Sequence, residues 1–246
     1  GYEIDQSLRF EDGSAAYLNR TPSSASNRKT WTWSSWVKRG NLGTHQDIFI
    51  AGSNASGQLS AQFSWNSNNG ITVYATVSGG SADYYLVTNA TYRDTSSWYH
   101  LLLVLDTTQS TSSNRLKLYV NGEQVTSFSS ETYPSSNYDS AVNNNVLHTV
   151  GRFSVVNANP LDGYLGEVNF IDGAAKAPAD FGETGTYGEW KPIEYEGSYG
   201  TNGFYLNFAT ASDMGDDKSG NTNDWTENNI AATDQMLDSP TNNFAT

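Results

Sequence analysis

The densest set of possible metal ligands lies in one polar loop near the end of the chain, residues 213–224, which holds four aspartates and two asparagines. Calcium takes about 6–8 oxygen ligands from carboxylates, amides and carbonyls, so these residue types predict a calcium site. The expected ligands are Asp213, Asp216, Asp217 and Asn221. The spacing is not that of an EF-hand loop, and the alternative is a loop whose Asp and Asn side chains cap their own backbone. Further candidates at strand ends are Asp106, Asp162 and Asp172.

Aromatic side chains in predicted loops form the second set of candidates. Aromatic rings stack on sugar faces, and neighbouring polar groups orient the ligand, so these rings predict a glycan-binding surface. The alternative is that they anchor long loops to the body of the domain. The loops are residues 129–145, 154–162, 182–203 and 213–224. The ring candidates are Tyr133, Tyr138, Tyr187, Trp190, Tyr195 and Tyr199.

Nucleophilic and acid–base chemistry has little support in the sequence. The chain has no cysteine, which excludes disulfides, thiolate zinc sites and cysteine nucleophiles. Two of the three histidines, His100 and His148, lie in predicted strands, where we expect satisfied core or face residues. No G-x-S-x-G, H-E-x-x-H or P-loop motif is present.

Charge and hydropathy narrow the possible partners. The chain has 13 basic and 26 acidic residues and a net charge of −13, which argues against a nucleic-acid partner because no basic patch is available for phosphates. No run of 18 apolar residues exists, so we predict no membrane insertion. The N-terminus does not resemble a signal peptide, and a start at glycine is compatible with a fragment of a longer protein.

Short alternating segments separated by turn residues predict an all-β fold, an antiparallel sandwich or barrel. We expect one domain over residues 1–230 and an extended C-terminal tail or linker over 231–246. The only helix candidate is 176–181. The predicted strands are 7–10, 16–18, 30–38, 47–51, 59–65, 71–77, 84–87, 98–105, 115–120, 146–153, 163–171 and 204–208.

The strongest local signal is the stretch 97–128. Residues 98–105 are apolar on both faces except at His100, as in a strand buried on both sides. Residues 115–120 alternate between an apolar face and a face with Arg115, Lys117 and Tyr119, as in a half-exposed strand. Asn121-Gly122 then predicts a type I′ hairpin turn.

Three stretches together resemble a known superfamily. Residues 98–100 (WYH), with the following strand and 119–123 (YVNGE), resemble laminin-G-like and pentraxin-like jelly rolls. Residues 161–173 (LDGYLGEVNFIDG) and 217–225 (DKSGNTNDW) resemble a strand and a turn of the same superfamily, the concanavalin A-like lectins and glucanases. The opening SLRFEDGSAAYLNRTPSSASNRKTWTWSSWVKRG and the ending DSPTNNFAT resemble laminin-G-like domains of marine bacteriophage tail-fibre proteins.

The resemblance implies a jelly-roll sandwich of two curved antiparallel sheets with loops at its rim, and binding of glycans or proteins, often with calcium. In a phage it implies a tail-fibre-like adhesin on the outer surface of the virion. Such an adhesin would be a homo-oligomer, trimeric on a fibre, with host surface glycans or other virion proteins as partners. The alternatives are a capsid or tail decoration module without a glycan ligand, and a glycan-cleaving enzyme.

The enzyme alternative depends on one strand. Glucanases of this superfamily carry an E-x-D-x-E strand, in which two carboxylates about 5–5.5 Å apart act as nucleophile and acid. The corresponding positions here are Glu167, Asn169 and Ile171, so the second carboxylate is missing. The sequence therefore predicts no catalytic residues.

Overall fold

The computed structural model describes residues 1–52, 60–76, 81–153 and 157–243. In these ranges the chain forms two eight-stranded antiparallel sheets and a two-stranded hairpin, with only short 3-10 turns. The predicted all-β antiparallel sandwich is confirmed. No helix in the described part is long and apolar enough to cross a bilayer. Of the predicted elements, strand ends 59 and 77 and loop residues 154–156 lie outside the described residues.

The first sheet has the order β10-β9-β8-β3-β13-β1-β18, and β16 pairs with the second half of β13. Its strands are β1 (Ser7–Phe10), β3 (Thr30–Arg39), β8 (Trp98–Asp106), β9 (Leu116–Val120), β10 (Glu123–Gln124), β13 (Gly163–Asp172), β16 (Phe204–Leu206) and β18 (Gln235–Met236). The predicted turn is confirmed, since Asn121 and Gly122 have φ values of 49° and 82°. The strand after it is only two residues long.

The second sheet has the order β11-β7-β6-β5-β4-β12-β2-β17. Its strands are β2 (Tyr17–Arg20), β4 (Gln46–Gly52), β5 (Ser60–Trp65), β6 (Ile71–Thr76), β7 (Tyr84–Thr88), β11 (Phe128–Thr132), β12 (His148–Val150) and β17 (Thr226–Asn228). The start of the predicted loop 129–145 is therefore β11, which pairs with β7. β11 is a mostly exposed edge strand. Its polar sequence, FSSET, gives no apolar alternation from which a strand could be predicted.

Aromatic residues fill the space between the two sheets. Successive side chains of a strand point to opposite faces, so Trp31 and Trp33 of β3 enter the core while Trp36 points outward. Trp33 stacks on Phe49 of the second sheet with ring centroids 4.4 Å apart. These rings bury roughly 150–250 Å² each, so they supply much of the apolar contact between the sheets.

The C-terminal segment differs from the predicted tail or linker at 231–246. Within its described part, β18 pairs with β1. Asp238 accepts hydrogen bonds from Lys38 Nζ at 2.7 Å and from Trp98 Nε1 at 3.1 Å. The segment carries few apolar residues, but strand pairing and this half-buried carboxylate attach it to the sandwich. Residues 231–243 therefore belong to the domain.

A β-bulge interrupts β13. The register against β3 shifts between Gly166 and Asn169, and Glu167 has a φ of 49°, in the left-handed region that non-glycine residues rarely adopt. The bulge places Val168 in the core together with Leu165, so strict alternation of side chains does not hold through this strand. Before the bulge β13 pairs with β1, and after it with β16.

Candidate functional site

A segment that we call the outer flap, residues 174–199, lies across the outer face of the first sheet. It contains the hairpin of β14 (Gly182–Thr184) and β15 (Trp190–Pro192), where the sequence predicts only a loop. Phe181 and Tyr195 of the flap pack on Leu102, Val104 and Ile171, which point away from the core. Much of this sheet is therefore apolar on both faces.

Trp190 fixes the flap to the sheet through a buried histidine. Its Nε1 donates to His100 Nδ1 at 3.1 Å, and the two rings stack with centroids 6.0 Å apart. His100 Nε2 lies 2.8 Å from the Ser34 hydroxyl. Complete burial lowers the pKa of His100 to about 3, so the ring stays neutral. The interpretation of His100 as a satisfied face residue is confirmed.

Among the Asp and Glu side chains of the described residues, Glu167 has the most strongly shifted pKa. Its Oε1 accepts a 2.6 Å hydrogen bond from the Tyr205 hydroxyl, which lies 3.1 Å from the Tyr2 hydroxyl. Burial raises the pKa of Glu167 to about 7, against the opposing effect of these hydrogen bonds. A raised pKa suits a general acid, but the space between Glu167, Asn169 and the flap leaves no room for a ligand.

The structure does not bring the six predicted aromatic residues together. Tyr133 and Tyr138 pack against the core on the side of the second sheet. Trp190, Tyr195 and Tyr199 lie in the outer flap, and the Tyr199 hydroxyl donates to Asn169 Oδ1 at 2.7 Å. Tyr187, at the tip of the hairpin, is 95% exposed. Five of the six rings therefore hold loops in place, as the alternative interpretation predicts.

The predicted calcium ligands do not converge either. Both oxygens of Asp217 are occupied, since Oδ1 accepts from the amides of Tyr205 and Ser219 and Oδ2 from the Ser219 hydroxyl and the Asn223 amide. Asn221 Nδ2 donates hydrogen bonds to Gly200 O and Gly203 O. Asp216 forms an ion pair with Lys218. The side chain of Asp213 is exposed. Among the described residues no group of three or more His, Asp or Glu could hold a metal ion. This arrangement fits a self-capped loop better than a ready calcium site.

An open groove of about 270 Å³ lies beside the outer flap, over β8 and β9. Its floor includes Val104, and the half-buried ring of Tyr119 lines it next to Lys117 on the same strand face. Lys176 lines the groove from the flap. Thr32 holds that segment in place by donating to Ala174 O at 2.8 Å and accepting from Lys176 N at 3.0 Å. The groove thus offers an aromatic ring flanked by polar groups.

Among the described residues that line the groove, the one carboxylate is that of Asp106, whose oxygens already accept hydrogen bonds. They accept hydrogen bonds from Thr108, from Gln109 Nε2 at 2.6 Å and from the Thr30 hydroxyl. Burial raises the pKa of Asp106, but these hydrogen bonds outweigh burial and lower it overall. Asp106 therefore stays ionised and positions the groove wall.

Two other surfaces are weaker candidates. A larger cavity of about 420 Å³ lies between the N-terminal and C-terminal segments, with Glu3, Asp5 and Leu237 in its lining but no aromatic ring. Tyr74 and Tyr85 form a cross-strand pair on the second sheet, with centroids 5.9 Å apart. The groove at Tyr119 combines an aromatic ring, polar groups and an open cavity on the outer surface.

Comparison with known proteins places these features in a family. Residues 12–179, more than half of the chain, match the family described as Laminin_G_3, concanavalin A-like lectin/glucanases superfamily. The sequence matches no curated protein significantly.

Among solved structures, the chain is similar to a native heptameric SAP-like pentraxin from Limulus polyphemus, with a TM-score of 0.50, 16% identity, and coverage of 72% of this chain and 80% of the pentraxin. It is also similar to domains LG4-5 of the mouse laminin alpha1 chain, with a TM-score of 0.47 and 10% identity. The match covers 84% of this chain and 48% of the laminin fragment. The chain thus spans about half the length of the laminin fragment. At these identities the similarity concerns the fold.

Proposed function

Because the chain belongs to the concanavalin A-like lectin/glucanases superfamily, we propose that it is a glycan-binding module that works without catalysis. The observation that carries this proposal is the groove at Tyr119, where a half-buried ring lies between polar side chains. Sugar sites combine a ring for stacking with a few oriented polar groups. The volume of the groove suits a mono- or disaccharide unit rather than a whole polysaccharide.

The surroundings of Glu167 support the proposal that the module works without catalysis. Retaining hydrolysis needs a second carboxylate about 5–5.5 Å away and access for the sugar. Asn169 occupies the next outward position and is bonded to Tyr199, and the outer flap closes the space above. We expect no release of reducing sugar from any glycan that the protein binds; such release would contradict this part of the proposal.

The decisive experiment is a glycan array probed with the wild-type protein and three single variants. Tyr119→Ala should weaken binding about tenfold, since one stacking ring contributes on the order of 1 kcal/mol beyond its buried area. Tyr85→Ala, on the second sheet, is the matched control and should bind as the wild type does. Loss of binding with Tyr187→Ala instead would place the site at the tip of the flap, and silence of the wild-type protein would contradict glycan binding.

For the setting of the module, we propose the outer surface of a phage particle, as part of a homo-oligomeric tail-fibre-like adhesin. The resemblance of the two ends of the sequence to tail-fibre domains supports this. A low-resolution map of the intact particle, with the domain labelled by antibody, tests it. Label at the capsid shell with no glycan binding would favour a decoration module.

Calcium binding by the loop 213–224 remains a proposal that the self-capped geometry does not favour. An ion bound only by the folded protein raises the melting temperature by mass action. If Asp213, Asp216, Asp217 and Asn221 hold calcium, adding calcium to metal-free protein should raise the melting temperature, and Asp216→Asn should abolish the increase. Coincident melting curves with and without calcium would contradict the proposal.

A further inference from the structure

The charges around the groove differ from those of the rest of the molecule. The chain has twice as many acidic as basic residues, so a lysine without a carboxylate partner is unexpected. Of its six lysines, Lys38, Lys191 and Lys218 form ion pairs. Two of the remaining three, Lys117 and Lys176, line the groove at Tyr119. Two of the three lysines without an ion pair among the described residues thus line this one cavity, together with a single carboxylate, that of Asp106.

Neither of these lysines is neutralised by the described residues. Lys117 forms no ion pair there, and Lys176 lies over the Tyr195 ring at 5.4 Å from its centroid rather than beside a carboxylate. Asp106, the acid of the groove, directs its oxygens to Thr30, Thr108 and Gln109. The charged groups free to meet a ligand are therefore two ammonium groups, each with up to three donors.

The two lysines approach the ring from different elements. Lys117 and Tyr119 are two residues apart on β9, so their side chains leave the same face of the strand about 7 Å apart. Lys176 comes from the outer flap, where Thr32 fixes the backbone of residues 174–176. A sugar stacked on Tyr119 would therefore have the Lys117 ammonium group beside it along β9 and the Lys176 ammonium group on the opposite side of the groove.

We infer that the groove binds an anionic sugar, a uronate or sulfated unit whose ring stacks on Tyr119 and whose acid group meets Lys117 and Lys176. This inference depends on the proposed glycan-binding function and specifies the class of sugar. A neutral sugar would leave both ammonium groups without a partner, whereas an acid group forms charge-assisted hydrogen bonds with them.

The test measures the affinity of the full chain for three probes by calorimetry: an oligogalacturonate, its carboxyl-reduced neutral form, and a sulfated galactan oligosaccharide. The wild-type protein should bind at least one acidic probe about tenfold or more tightly than the neutral one, since hydrogen bonds to charged groups are the stronger class. That preference should fall as salt rises.

The double variant Lys117→Gln/Lys176→Gln should lose the acidic preference and keep the neutral affinity, while Tyr119→Ala should weaken both. Lys218→Gln, which makes one charge change in the 213–224 loop, is the control and should retain the preference. Equal binding of acidic and neutral probes, or an unchanged preference in the double variant, would overturn the inference while leaving the glycan-binding function intact. No binding of any glycan would instead contradict that function.

Discussion

The outer face of the first sheet has two halves that treat similar residues in opposite ways. Under the outer flap, Trp190 and Phe181 close over the sheet and hold His100 and Glu167 away from water. Over β8 and β9 the same face stays open, and Tyr119 lines a groove with unpaired lysines. In one half, aromatic rings of the outer flap cover the sheet, and we call them the lid. In the other half, the Tyr119 ring faces the open groove, and we call it the candidate ligand platform. The Trp190 and Tyr119 rings are both half-buried, so what each ring contacts, and not its residue type, separates the two roles.

The largest expected effect comes from removing the ring that closes the covered half. Trp190→Ala should lower the free energy of unfolding by about 3–4 kcal/mol, because it leaves a cavity and removes the partner of His100 Nδ1. Urea unfolding measures this. Tyr187→Ala in the same hairpin is the control and should stay within about 0.5 kcal/mol of the wild type. Equal, small effects of both variants would show that the flap does not stabilise the sheet.

The second prediction concerns pH. Glu167 has a folded pKa of about 7 against an ordinary 4.5, so between these values the folded protein binds more protons than the unfolded chain. Its contribution to stability is complete below pH 4.5 and is lost as pH rises through 7, which amounts to about 3 kcal/mol. Glu167→Gln, which stays neutral, should lose that dependence.

Comparing the Glu167→Gln variant with the wild type by urea unfolding from pH 4 to pH 8 isolates this acid. Burial lowers the pKa of both His100 and His148, so these residues lower the stability as pH falls below 6.5, but they do so equally in both proteins. The difference in unfolding free energy should widen with pH in favour of the variant. A constant difference would contradict the assignment of a raised pKa to Glu167.

The smallest expected effect on stability comes from the open half. Tyr119→Ala should lower the unfolding free energy by about 1–2 kcal/mol, clearly less than Trp190→Ala, because its ring is half-buried and has no buried hydrogen-bond partner in the described ranges to leave unpaired. The double variant Lys117→Gln/Lys176→Gln should change it by less than about 1 kcal/mol, since neither lysine forms an ion pair with the described residues. Their effect should appear in glycan affinity. If Tyr119→Ala destabilised the protein as strongly as Trp190→Ala, the distinction between lid and platform would fail.

Much of the fold could be predicted from the sequence because its signals are local. The Asn121-Gly122 turn and the doubly apolar strand β8 depend on neighbouring residues alone. The bulge at Glu167 carries no such signal, since nothing in the residue type favours a φ of 49°. The strands of the outer flap carry no local signal either, because residues 182–192 are rich in Gly and polar residues and are held in place by the sheet beneath them.

The candidate site was harder to predict. The sequence favours loop aromatics such as Tyr195 because loops are usually exposed, but here a loop folds back over a sheet and buries this ring. Tyr119 lies instead in a strand. The sequence does indicate this position, because residues 115–120 alternate between an apolar face and a face that carries Lys117 and Tyr119. Which of two exposed-looking regions is covered depends on contacts between residues far apart in sequence.

The pairing of the first sheet constrains when it can form during synthesis. Leu8 lies opposite Leu165 on one side and Gln235 on the other, and Trp33 lies opposite Phe170. The apolar strands β1 and β3 therefore cannot complete their pairing until strands from the second half of the chain have been synthesised. Pairings this distant fold slowly and leave apolar strand edges exposed on the way. Trp31 and Trp33 pair on one side with β8 and on the other with β13, so both sides of their strand are covered only after residue 172 has been synthesised.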